Sequence, residues 1–115
     1  MFTLNKTNLL INQPQSEDGT VDFSVSIIPE IPGTKVDYEY EVGLKPEMEY
    51  KSIQTESLQE IIYVMTGSGI IKIKGLEEKV IRGDRIIITN KEQYQITNPE
   101  ENMLLFLIIG ISTQA

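Results

Sequence analysis

The 115-residue sequence contains neither cysteine nor histidine. Without cysteine it has no disulfide, no thiolate metal site and no thiol nucleophile. Without histidine it lacks the commonest transition-metal ligand and the usual general base, so Ser57 has no imidazole to activate it. Long apolar runs are missing too. The longest, residues 103–109, is far short of the roughly 18 to 20 residues that cross a bilayer. Basic residues are few, ten against seventeen acidic ones, and the net charge of −7 repels phosphate backbones and anionic lipid surfaces. Nucleic acid and membrane are therefore excluded as expected partners. No apolar stretch of signal-peptide length stands near the start, and the expectation is a cytoplasmic protein.

What is present is the composition of a folded domain, 40% hydrophobic and 23% charged. With no linker tract and no repeat, the expectation is a single domain over residues 1–115, with 1–20 as an N-terminal arm. The periodicity is that of strands. In residues 35–44, Val36, Tyr38, Tyr40 and Val42 alternate with acids, which predicts a half-buried strand with Tyr38 and Tyr40 serving as packing residues. Further β-rich runs lie at 21–28, 50–55, 60–65, 70–74, 79–81, 85–89, 94–97 and 103–109, punctuated by Gly, Pro, Asn and Asp. Short, evenly spaced strands predict an all-β sandwich or barrel. A short helix is expected near residues 7–11. The Gly67-Ser68-Gly69 step is expected to close an antiparallel hairpin between 60–65 and 70–74, and Gly83-Asp84 to serve likewise before 85–89. Lys72 and Lys74 read as a solvated face that discourages edge pairing, and Arg82 and Arg85 as salt-bridge partners of Asp84 or a nearby Glu. The runs 60–65 and 103–109 do not alternate, so each strand needs cover on both faces. A second copy of the chain is an expected source of part of that cover.

Residues 54–98 resemble the motifs of the cupins. The first cupin motif places two His before a Glu that is followed, six residues later, by Gly. Here Glu60 and Gly67 match the Glu and Gly, and Gln54 and Glu56 stand where the family has its two His. The second motif runs from a Gly through Pro, Gly and His to Asn. Counting from Gly83, this sequence has Thr89, Lys91 and Tyr94 at the Pro, Gly and His positions, and Asn98 matches the Asn. The resemblance spans residues 36–109, with motif one at 54–67 and motif two at 83–98. It implies an all-β cupin-type barrel, a double-stranded β-helix or jelly roll, whose metal-binding His positions are all replaced.

The residues themselves admit three chemistries. Gln54 and Glu56 leave one strand face together, and Tyr94, Ile96 and Asn98 leave another. If both faces point inward, Gln54, Glu56, Glu60 and Tyr94 meet at the mouth of a small barrel. As metal ligands they form a hard-oxygen set suited to Mn, Fe, Mg or Ca. As an acid/base pair, Glu56 and Glu60 would hold their pKa values apart, with Tyr94 steadying an oxyanion, as in a lyase or isomerase acting on a small polar metabolite. In the third reading the pocket is a non-catalytic cavity that binds a small polar molecule without a cofactor, or a relic, its polar groups satisfied by hydrogen bonds and water. The cupin family includes dioxygenases, decarboxylases, isomerases and sensor domains. The replaced His make oxidative chemistry the least transferable of these to this chain.

Overall fold

The computed structural model describes residues 4–8, 34–52, 59–89 and 92–113, and every regular element within them is a strand. In chain order these are β1 (Asn5–Asn8), β2 (Thr34–Leu44), β3 (Glu49–Lys51), β4 (Gln59–Thr66), β5 (Ser68–Ile73), β6 (Leu76–Ile81), β7 (Asp84–Thr89), β8 (Tyr94–Thr97) and β9 (Leu104–Thr113). The strand expected at 21–28 lies outside the described residues. Thr7 and Asn8, expected in a helix, are instead in β1 opposite Arg85 and Asp84 of β7. The reason is tertiary: the Asn8 side-chain amide donates to Asp84 Oδ1 and to the Arg82 carbonyl, a hold that a lone helical turn does not offer. Among the described residues no helix is long and apolar enough to cross a membrane.

The strands form two sheets, in the orders β1-β7-β4-β9-β2 and β3-β8-β5-β6. All pairings are antiparallel. The expected hairpin at Gly67 is not one: β4 pairs with β7 and β9, whereas β5 pairs with β6 and β8, so the Gly67 step carries the chain from one sheet to the other. Gly67 has φ +81°, and a Cβ there would press on the Met103 carbonyl, so only glycine turns this corner without strain. The Gly83-Asp84 step also changes sheets, from β6 to β7, and its Gly83 N–H donates to the Val64 carbonyl at 2.8 Å. The hairpin actually present joins β5 to β6 at Lys74-Gly75. Lys72 is exposed as expected, yet its strand is interior to the sheet, with β8 and β6 on either side, so it guards no edge. Asp84 is buried and accepts from Asn8 and from the Ile81 N–H at 2.8 Å, with Lys6 Nζ 4.0 Å from its Oδ2.

The core lies between the sheets. Alternate residues of the two non-alternating runs enter it: Ile62 and Val64 from β4, and Leu104, Phe106 and Ile108 from β9, facing Ile71, Ile73, Val80 and Ile96 from the other sheet. Each such side chain, fully buried, contributes about 1.5–3 kcal/mol. Their neighbours Ile61, Tyr63, Met65, Leu105 and Leu107 turn to the outer face of the five-stranded sheet and are half-buried.

Candidate functional site

Three buried polar side chains stand among the described residues: Glu60, Asp84 and Asn98. Asp84 belongs to the β1–β7 junction described above. Asn98 is fully buried and fully used. Its side-chain amide donates to the carbonyls of Leu44 and Asn102, each at 2.8 Å, and its Oδ1 accepts from the Glu100 N–H at 3.0 Å. Its backbone exchanges hydrogen bonds with the turn after β2, giving to Met48 and taking from Glu47. The matched motif residue thus welds two turns together and has no capacity left for a ligand.

Glu60 is different. It lies on β4 opposite Ile88 of β7 and Gly110 of β9, and Gly110 in turn faces Tyr38 of β2. A β-bulge sits between Val36 and Tyr38, so residues two apart on β2 meet Ile111 and Gly110, which are adjacent on β9. Bulges of this kind re-aim a side chain. Tyr38 lies directly over Gly110, where any Cβ would collide with its ring, and from there its hydroxyl donates to Glu60 Oε2 at 2.5 Å. The empty side chain of Gly110 is therefore what lets a tyrosine reach across a whole strand to the carboxylate.

Tyr94 enters from the opposite sheet. Its backbone is pinned at both ends of a reciprocal pair with Ser52: the Tyr94 N–H donates to Ser52 Oγ, and the Ser52 N–H donates to the Tyr94 carbonyl, both at 2.9 Å. The side chain is only 4% exposed; its hydroxyl makes no hydrogen bond of good geometry among the described residues, although Glu60 and Tyr50 lie near enough to interact with it. Burial first, and then the charge of Glu60, push the Tyr94 hydroxyl above its ordinary pKa, so it stays a neutral donor. Burial and the same carboxylate also raise Tyr50, whose ring stands 6.2 Å from that of Tyr94 and 5.7 Å from that of Phe106. Tyr38 and Tyr40 form a second ring pair at 5.2 Å. Tyr40 lies opposite fully buried Ile108 on the edge strand β2 and is 49% exposed.

Solved structures share this arrangement of strands. The cupin domain of an XRE-family transcriptional regulator from Enterobacter cloacae superposes with a TM-score of 0.59 at 15% identity, covering 71% of this chain and 96% of that one. The fold is that of the cupins. A predicted oxalate decarboxylase from Thermotoga maritima gives a TM-score of 0.60 at 24% identity, over 69% of this chain and 68% of that one. A putative sugar phosphate isomerase from Acidithiobacillus ferrooxidans gives 0.52 at 20% identity, over 64% of this chain and 48% of that one. Neither a protein-family model nor a curated protein matches the sequence. At such identities the likeness concerns the cupin scaffold alone, and these three neighbours carry different roles on it.

Of the four residues singled out by the sequence, the cupin barrel brings Glu60 and Tyr94 to one interior region, while Gln54 and Glu56 lie outside the described residues. Tyr38, expected only to pack, is the hydrogen-bond partner of Glu60. Tyr50 stands in the sequence only as the first residue of the β-rich run 50–55, and Gly110 only as the residue after the apolar run 103–109, because their roles depend on cross-strand register. Many cupins use a metal. Among the described residues no three His, Cys, Asp or Glu side chains gather, and one Glu60 oxygen is already engaged by Tyr38, so these residues alone do not fit a metal centre. A surface cleft of about 330 Å³ outside the four-stranded sheet is lined by Lys51, Lys72 and Lys74, but each of these is paired with a glutamate.

Proposed function

We propose that this cupin binds a small polar molecule at the Tyr40 end of its barrel, with Glu60 and Tyr94 as the polar contacts, and that it works as a cytoplasmic homodimer. The observation that carries the reading is the buried Tyr94 hydroxyl, without a well-formed hydrogen bond among the described residues and close to a carboxylate. An unmade buried hydrogen bond costs about 1–3 kcal/mol, and a ligand that accepts from Tyr94 regains it. Tyr38 holds Glu60 in place, so the pair is preorganised. The half-buried outer face at Ile61, Tyr63, Leu105 and Leu107 supports cover by a second copy, which light scattering tests.

The test of binding is a thermal-shift and NMR screen of polar metabolites against the wild type, Glu60→Gln and Tyr94→Phe. A hit lost in both variants supports the site; hits indifferent to both overturn it. A second reading, a lyase or isomerase, draws on the same pair. A neutral Tyr94 donor is the form that steadies an oxyanion, and Glu60 would move the proton. Turnover of a bound hit, abolished by Glu60→Gln with binding retained, distinguishes it from simple binding. Elemental analysis of protein purified without a metal column tests for Mn, Fe, Mg or Ca.

A further inference from the structure

The buried charged side chains among the described residues are Glu60 and Asp84, both acids. Asp84 is committed to β1. Glu60 has a neutral tyrosine as its hydrogen-bond partner, and no basic residue occurs anywhere in residues 53–58, the segment leading into β4. Among the described residues no Lys or Arg forms an ion pair with Glu60; a buried carboxylate without such a partner is costly, and a cationic ligand supplies one. Around it stand four of the five tyrosines of the sequence. Tyr38 and Tyr40 form one ring pair and Tyr50 and Tyr94 the other, on strands of opposite sheets. Aromatic faces attract cations through the ring quadrupole, and the attraction grows as water is excluded. Tyr40, 49% exposed, is the member of this group that meets solvent.

Resting on the binding reading above, we infer that the ligand of this site is an organic cation, an amine or alkylammonium group seated between the tyrosine rings and the Glu60 carboxylate, with an adjoining acceptor atom taking the Tyr94 hydroxyl. Choline has this pattern of one ammonium and one oxygen, and it serves as the probe. Its control is the neutral carbon analogue, in which a tert-butyl group replaces the trimethylammonium at the same size. Two-dimensional NMR titrations of the full chain compare the two.

Choline is expected to shift the ring signals of Tyr38, Tyr40, Tyr50 and Tyr94 and to bind about tenfold more tightly than the analogue. Glu60→Gln is expected to reduce that preference to about twofold or less. Tyr40→Leu, at an exposed position that does not endanger folding, is expected to weaken choline more than the analogue. Equal affinity for the two probes, a preference that survives Glu60→Gln, or Mn²⁺ displacing choline from Glu60 would each overturn the inference. If neutral metabolites bind through Glu60 and Tyr94 while choline does not, the cation assignment fails and the binding site stands. If nothing binds there, both fail.

Discussion

Tyr94 and Asn98 stand four residues apart on one stretch of chain, both buried, both at positions aligned with the second cupin motif, and they are opposites. Asn98 has three side-chain hydrogen bonds and is sealed beneath two turns. Tyr94 is held by its backbone and by the packing of its ring in the core beside Tyr50, while its hydroxyl is left without a well-formed hydrogen bond beside Glu60. The end of the barrel at Asn98 is closed by its own polar groups; the end at Tyr94 is finished in aromatic rings and a carboxylate. A barrel that closes one end and leaves buried polar capacity at the other has separated its structural residues from those free to meet a ligand.

The contrast breaks most visibly at the closed end. Asn98→Ala strands the buried Leu44 carbonyl and removes the part-buried bonds to the Asn102 carbonyl and the Glu100 N–H, and a loss of about 3 kcal/mol in unfolding free energy is expected, measured by urea denaturation. If Asn98→Ala is neutral, the closed end is not structural. Next is the link that holds Glu60. Gly110→Ala drives a methyl into the Tyr38 ring, with an expected cost of about 1–3 kcal/mol. Adding Tyr38→Ala in the same chain should recover part of that cost, a non-additive pair in a double-mutant cycle.

The pattern of strands, their rough positions and the cupin arrangement were legible because period-two alternation and glycine punctuation are local signals. The sheet assignment was not. Gly67 and Gly83 look like hairpin glycines in sequence, and whether such a turn returns to its own sheet or crosses to the other depends on contacts with Met103 and Val64 far along the chain. Glu60 and Tyr94 were found from motif register. Tyr38 was not recognised as a site residue because its reach to Glu60 needs a bulge on one strand and a glycine on the next, and neither is visible in β2 alone.

A smaller effect separates the ends by pH. An unfolded tyrosine ionises near 10.0, whereas burial and the Glu60 charge resist ionisation of Tyr94 in the fold. The folded state then binds more protons than the unfolded one above that pH. Stability is retained below pH 10 and falls above it, by about 1.4 kcal/mol per pH unit for one such group. Denaturation midpoints between pH 8 and 11 check this, and Tyr94→Phe should flatten the decline; an unchanged slope would mean that Tyr94 ionises freely.

The most direct test is the paired measurement of stability and ligand affinity in Tyr94→Phe. Removing a hydroxyl that makes no well-formed hydrogen bond in the fold is expected to leave unfolding free energy unchanged or to raise it by up to about 3 kcal/mol, while reducing affinity for the ligand about tenfold. A loss of stability as large as that of Asn98→Ala, with affinity intact, would show that the Tyr94 end is structural after all.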